Sequence, residues 1–332
     1  MLRAAIVGLG WWGQTLLGLL RGNAALSVVA LVDIDRARAA RVAAEAGVPA
    51  ASDYEAVLAD PRVEAVILCT PHSVHCDQVV RAAQAGKHVF CEKPLALSRA
   101  DALRALGACE AHRVVLGIGH ERRFEPPILE LRRLYRSGAL GTALQIEANF
   151  SQDKFLSMPA DNWRLSPEEA PAGPLTATGI HLLDLAVSLL GPADRVHATV
   201  RQLGSPLVNG DSLAVLAQFR SGAAALVSAM LATPFEGRFA LYGSRGWAEV
   251  RDKSHPESPT GWTLTVCEHG KARAVREFAP APAVLANLEA FARAAAGGEP
   301  YPVPHRQMLD NVALLEATVA SARSGQIVPI AG

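Results

Sequence analysis

The chain has 332 residues, half of them hydrophobic, and its 32 lysines and arginines balance 32 aspartates and glutamates to a formal net charge of zero. That length is expected to give two domains with a sizeable core, and the balanced charge offers no electrostatic footprint for nucleic acid or an anionic membrane surface. No apolar run reaches the roughly 18 uninterrupted residues of a membrane helix. The five cysteines form no C-x-x-C pair and are odd in number, which argues against a zinc ribbon or a disulfide framework. Such cysteine usage fits a reducing, cytoplasmic compartment. A first strand beginning at Leu2 leaves no room for a signal or transit segment.

Leu2 to Val7 read as a buried strand, followed by Gly8-Leu9-Gly10-Trp11-Trp12-Gly13 and a helical run from Gln14 to Leu20. A second strand, Leu26 to Val32, ends at Asp33, twenty residues after Gly13. Strand, glycine turn, helix, strand and acid in that order form a dinucleotide fingerprint. Gly8, Gly10 and Gly13 let the backbone approach a pyrophosphate, and the helix N-terminus turns N–H groups and a positive dipole end toward it. The bulky Trp11 and Trp12 either wall that site or staple the first helix to its sheet. Asp33 is expected to accept hydrogen bonds from the adenosine ribose and to repel a 2′-phosphate, favouring NAD over NADP. Arg36 and Arg38 lie close enough to soften that preference. An N-cap for the helix over residues 37–46 is the other use of Asp33.

The alternation continues with a strand at Glu64–Cys69, a helix at Val74–Ala85, a strand at His88–Cys91, a helix at Ser98–His112 started by Ser98 with Asp101 three residues on, and a strand at Val114–Ile118. This pattern gives a doubly wound parallel sheet. Glu92-Lys93-Pro94 follows the fourth strand, at the carboxyl end where open α/β sheets bind ligands. The chain holds only five lysines against 27 arginines, which singles out Lys93 for chemistry. A free lysine titrates too high for a base near neutrality, and burial beside a cationic ring would bring it down.

Beyond residue 140, Ala143–Phe150, Arg195–Leu203, Ser212–Phe219, Ala223–Met230, Arg238–Tyr242 and Trp262–Cys267 read as strands, with Gly210-Asp211 and Ser221-Gly222 as turns between them. The closing segment near Asp310 to Arg323 reads as a helix, and either domain is open to it. His72 and His75 show a short metal-like spacing, but nothing nearby completes a set, so no metal is expected.

Thr70-Pro71-His72-Ser73-Val74-His75, Ala85-Gly86-Lys87-His88-Val89, Glu92-Lys93-Pro94, the segment Gly119 to Pro126, Gly138 to Gly141, Asn162-Trp163-Arg164 and Gly179 to Asp184 together resemble the glucose-fructose oxidoreductase, inositol dehydrogenase and rhizopine-catabolism (Gfo/Idh/MocA) family over nearly the whole chain. The resemblance implies an α/β fold: an N-terminal Rossmann doubly wound parallel sheet over residues 1–122, then an α+β domain over 123–332 with a large, mainly antiparallel open sheet that carries substrate and oligomer contacts. It implies a nicotinamide-dependent dehydrogenase of sugars or cyclic polyols. A homodimer or homotetramer through the second sheet also follows from the resemblance. Catalysis then falls to Lys93 and His181, with the base role open between them. Thr70, Pro71, His72, His75, Glu92, Lys93 and Arg122 would join the glycine loop, the tryptophans and Asp33 around the cofactor. Lys93, Arg123, Trp163, Arg164, Thr178 and His181 would meet substrate.

One departure stands out. The family usually carries an aspartate four residues before the helix histidine, and here that residue is Ala177. Asp184 is one alternative for orienting His181, and an exposed or capping role is the other; Thr176 and Thr178 can hydrogen-bond but cannot act as bases at neutral pH. A dehydrogenase leads. An NAD-dependent glycosidase that oxidises and re-reduces its substrate, and a dinucleotide sensor without catalysis, remain alternatives.

Overall fold

Mostly apolar strands of three to seven residues alternating with helices place five strands in one parallel sheet, because a parallel return needs a helical crossover. The computed structural model describes residues 1–331 and divides the chain into two units, one of residues 1–120 with 284–309 and one of residues 121–283 with 310–332. In the first unit β1 (Leu2–Val7), β2 (Leu26–Val32), β3 (Ala65–Leu68), β4 (His88–Cys91) and β5 (Leu116–Ile118) are ordered β2-β1-β3-β4-β5. The helices α1 (Trp11–Leu19), α2 (Arg36–Ala46), α3 (Tyr54–Ala59), α4 (His75–Gln84) and α5 (Arg99–Ala111) separate them. Ser98 caps α5 by accepting from the Asp101 N–H.

The segment 284–309 returns to this unit and covers the β5 edge, which would otherwise expose unpaired backbone. In α8 (Ala283–Ala295), Asn287 donates to the Ile118 carbonyl at 2.9 Å, and Tyr301 donates to the same oxygen at 3.0 Å. Phe291 stacks edge-on against Phe90 at 5.6 Å. Gly117 leaves room for both rings, since a Cβ there would come within 2.8 Å of Phe90 and 2.9 Å of Phe291. Burying each such ring contributes about 1.5–3 kcal/mol.

The second unit is built on nine strands in the order β13-β12-β11-β10-β6-β9-β8-β7-β14. They are β6 (Ala143–Ser151), β7 (Ala193–Arg201), β8 (Ser212–Phe219), β9 (Ala224–Met230), β10 (Glu236–Gly243), β11 (Gly246–Asp252), β12 (Trp262–Glu268), β13 (Ala274–Phe278) and β14 (Val328–Pro329). The β6–β9 pair is parallel and the other pairs are antiparallel, so the sheet is mixed and mostly antiparallel. One face alternates Leu213, Val215, Ala217 and Phe219 into the core, where they meet α6 (Pro126–Arg136), α7 (Ile180–Leu190) and the later part of α9 (His305–Ser324). The outer face exposes Leu216 and Leu226. Asp310 onward in α9 belongs to this unit and His305–Leu309 to the first. Among the described residues no helix is long and apolar enough to cross a membrane.

Candidate functional site

In the first unit, the glycine loop is shaped by what a side chain would strike. A Cβ on Gly8, whose φ is +90°, would lie 2.8 Å from the Cys69 carbonyl oxygen, and one on Gly13 would lie 2.0 Å from the Gly8 oxygen. Both glycines therefore allow loop, helix and β3 to pack closely. Gly10 differs, because a Cβ there would meet nothing within 4 Å. The space over Gly10 at the start of α1 is open, which is the room a pyrophosphate needs beside helical N–H groups. A dinucleotide fits this loop.

Asp33 is buried, and its carboxylate ties the loop down: Leu9 N–H donates to one oxygen at 2.6 Å and Asp35 N–H to the other at 2.8 Å. Arg38 reaches both oxygens at 3.3 Å. The cap of α2 is Asp35, which accepts from the Arg38 N–H, so the N-cap alternative for Asp33 is corrected. Asp33 sits at the carboxyl end of β2 outside the first turn of α2, where it holds the glycine loop. Trp11 is exposed and Trp12 packs partly into the core of this unit, their rings 5.1 Å apart.

Thr70 and Pro94, the residue after Lys93, are joined through one side chain. His75, fully buried, places Nε2 3.0 Å from the Thr70 carbonyl oxygen and Nδ1 2.7 Å from that of Pro94. The Thr70 hydroxyl donates to Gln78 Oε1 at 2.6 Å. Pro71 precedes a short 3-10 turn beginning at His72, which is buried with its ring 5.9 Å from that of His75. The Lys93–Pro94 peptide is cis. Glu92 Oε2 accepts from the Lys93 N–H at 3.3 Å, and its carboxylate fills the space above Gly119, where a Cβ would come within 2.4 Å of it. The turn carrying Lys93 is thus fastened on both sides.

In the second unit, the Glu121–Phe124 3-10 turn buries two charged side chains, Arg122 and Arg123, and leaves Glu121 partly exposed. Arg122 Nε donates to Glu125 at 3.1 Å, and its Nη2 donates to both Asp252 oxygens at 2.9 and 2.7 Å. Trp262 Nε1 also donates to Asp252, at 2.8 Å. Burial pushes the Glu125 carboxyl up to about 8, against the pull of Arg122 and with Asp252 and Glu121 adding to the rise. Arg123 forms a bidentate pair with Asp184 of α7, both distances 2.6 Å. Both guanidiniums expected near ligands thus form ion pairs within the unit, Arg122 through Nε and Nη2 with its buried Nη1 making no hydrogen bond among the described residues, and Asp184 pairs with Arg123.

His181, in the first turn of α7, is buried with Phe150 at 6.3 Å between ring centroids. Its Nδ1 lies 3.6 Å from Glu121 Oε2. Residues Leu175–Gly179 just before it form a π-helical turn, where the Thr176 and Thr178 hydroxyls donate back to Gly173 and Pro174 carbonyls. Ala177 packs on a small apolar cluster of Phe155, Leu207 and Leu231. Asn162 caps a short turn that places the Arg164 guanidinium 4.2 Å over the Trp163 ring, and Asn209 anchors this turn through the Arg164 carbonyl at 3.0 Å. Glu121 and His255 were not anticipated from sequence. His255 lies 5.7 Å from Phe150 and meets Gln152 Oε1 through Nε2 at 2.6 Å. Glu121 stands inside the Gly119–Pro126 segment, next to the arginines that drew attention.

Residues 2–120 match the family described as "Oxidoreductase family, NAD-binding Rossmann fold", and residues 128–249 match the "GFO/IDH/MocA C-terminal domain". A D-xylose 1-dehydrogenase (NADP(+)) 2 of Haloferax volcanii is 32% identical over 91% of this chain and 91% of its own. The chain belongs to the GFO/IDH/MocA oxidoreductase family. A scyllo-inositol 2-dehydrogenase (NAD(+)) of Bacillus subtilis, also similar to this GFO/IDH/MocA protein, is 32% identical over 70% of this chain and 68% of its own. The crystal structure of an aldose-aldose oxidoreductase from Caulobacter crescentus complexed with glycerol superimposes with a TM-score of 0.86 at 27% identity, covering 99% of both chains.

Proposed function

We propose that this GFO/IDH/MocA member oxidises a hydroxyl of a sugar or cyclic polyol, or reduces the matching ketone, with NAD as the preferred cofactor. The observation that carries the reading is the His75 clamp. By joining the Thr70 and Pro94 carbonyls it fixes Lys93 at the carboxyl end of β4 in the dinucleotide-binding unit. Gly8, Gly10, Gly13 and the start of α1 would hold the pyrophosphate, and Thr70, Pro71, His72 and Glu92 would border the nicotinamide half. When bound, the nicotinamide accepts or returns the hydride. Lys93 and His181 supply the remaining chemistry: one takes the hydroxyl proton as the C–H electron pair leaves, and the other holds the hydroxyl oxygen. Trp163 and Arg164 suit a polyol, an aromatic face for ring carbons beside a donor for hydroxyls. Thr178 can accept from a substrate hydroxyl while donating to Pro174.

Arg122 and Arg123 are assigned to holding the unit together through their carboxylates, and Arg38 beside Asp33 is assigned a moderating effect on NAD preference. The exposed Leu216 and Leu226, flanked on the same outer face by the Arg238–Glu147 pair, suit a self-complementary homodimer contact. Mass measurement in solution tests it, and a monomer at working concentration removes it.

The test of function is reduced-cofactor formation across sugars, polyols and sugar acids with NAD and NADP in parallel. Turnover with at least one of these substrates, faster with NAD, supports the proposal. Tight NAD binding without any turnover on the panel contradicts it and favours a sensor. Hydrolysis of glycosides with retained NAD favours the redox glycosidase.

A further inference from the structure

We infer that Glu121 is the carboxylate partner of His181, holding the imidazole through Nδ1 and setting its proton affinity where Ala177 supplies no charge. The inference rests on the proton-transfer reading of His181 given above, and its test separates the two.

The geometry is specific. Glu121 Oε2 and His181 Nδ1 are 3.6 Å apart, with the side chains 16% and 6% exposed. That distance is in ion-pair range and longer than a formed hydrogen bond. Catalytic pairs often stand at such distances before substrate arrives and tighten when charge develops. The separation is held by a second rung between the same two elements. Arg123, two residues after Glu121, is bidentate to Asp184, three residues after His181, at 2.6 Å on each arm. The short turn is thereby clamped against α7, and Glu121 cannot drift far from the ring.

Glu121 brings a carboxylate to Nδ1, and the groups nearby have partners or character of their own. Both oxygens of Asp184 face Arg123. Ala177 packs on Phe155, Leu207 and Leu231 and carries no side-chain charge. Phe150 fills another side of the imidazole. Beyond that ring lie Arg122, 5.2 Å from its centroid, and His255, 5.7 Å from it. Arg122 is paired with Glu125 and Asp252. His255 has Glu257 as its nearest charge, at 3.9 Å, and Glu257 is itself bound by Lys154. Burial against an aromatic ring disfavours imidazolium, and a carboxylate near Nδ1 opposes that penalty.

The chemistry follows from tautomer logic. A carboxylate at Nδ1 keeps the hydrogen of the neutral ring on Nδ1, which leaves the Nε2 lone pair as the base. In oxidation, the O–H bond of the substrate breaks and its proton goes to Nε2. The C–H electron pair leaves with its hydrogen to the oxidised nicotinamide, and the C=O bond forms. The imidazolium is then stabilised by Glu121. Glu121 does not touch substrate in this scheme; it is a positioning residue.

The test uses the full chain and NMR of the His181 imidazole, assigned by loss of its signals in His181→Gln. In the unaltered protein the neutral ring should be the Nδ1–H tautomer; an Nε2–H tautomer overturns the inference without any variant. Glu121→Gln should move the His181 titration down by roughly one pH unit, and Glu121→Asp should restore most of it. The acid limb of kcat/KM should move with it, and the plateau should fall about tenfold as the base weakens. An unchanged His181 titration in Glu121→Gln overturns the pairing. A shifted titration with an unshifted rate profile leaves the pairing intact and removes His181 from proton transfer.

Discussion

Replacing Asp184 by asparagine changes no shape and removes one buried charge. Arg123 is 3% exposed and Asp184 1%, and both arms of the guanidinium fork end on this carboxylate. Arg132 faces the same group: burial, with Arg123 and Arg136 adding to it, lowers its guanidinium to about 10 against the opposing pull of Asp184. Asp184→Asn therefore leaves neighbouring cations without the anion that balances them. Breaking one side of a buried pair costs about 3–5 kcal/mol. For a unit of this size each kcal/mol moves the melting temperature by about 2–4 °C, so a fall of roughly 6–20 °C is expected. Scanning calorimetry of wild type, Asp184→Asn and the double variant Arg123→Met with Asp184→Leu measures it. The double variant should recover most of the loss, because the buried Arg123 charge leaves with its partner and Arg132 loses a repelling neighbour along with Asp184. Melting of Asp184→Asn within about 2 °C of wild type refutes the reasoning, as would a double variant weaker than the single one.

Gly10→Ala should leave melting unchanged, since its Cβ meets open space, yet weaken NAD binding at least about tenfold, or 1.4 kcal/mol. Gly13→Ala should lower both, because its Cβ falls on the Gly8 carbonyl; titration calorimetry with thermal melts separates the two patterns. Arg38→Ala should raise the ratio of NAD to NADP affinity by freeing the full charge of Asp33, and equal ratios in wild type and variant would remove Arg38 from cofactor choice. Glu125 has a folded value of about 8 against an ordinary 4.5, so the folded state holds its proton more tightly. Its contribution to stability is complete below pH 4.5 and lost as pH rises through about 8. Glu125→Gln should flatten the decline of melting temperature across that window, and parallel profiles would show that Glu125 does not carry it.

The glycine loop was legible because Gly8, Gly10 and Gly13 are close in sequence at a fixed spacing after a strand, although Gly8 packs against the distant Cys69 carbonyl, Gly10 meets open space, and only Gly13 answers to a near neighbour, the Gly8 carbonyl. The first four strands were legible for a similar reason, since parallel strands buried on both faces read as apolar runs. Strand β11 gave a weaker signal, because only Ala248 and Val250 enter the core while Glu249 and Arg251 between them pair with Arg238 and Glu236. Strand β13 is largely exposed at the sheet edge. The ion pairs of the arginines at 122 and 123 were not legible, because sequence cannot show what lies 130 and 61 residues away, where Asp252 and Asp184 receive them. Glu121 was hidden by the same blindness: its neighbour His181 is brought to it only by packing of the turn on α7. Ala177 was visible as a missing carboxylate, but its apolar contacts required the structure.

The central claim is that Lys93, fastened at the end of β4, takes part in proton transfer or substrate positioning for hydride chemistry. The most direct measurement is turnover of Lys93→Met with the best substrate of the panel, alongside its affinity for NAD. The account predicts that kcat falls by at least about a hundredfold while NAD affinity stays near that of the unaltered protein. Turnover within a few-fold of wild type would contradict it.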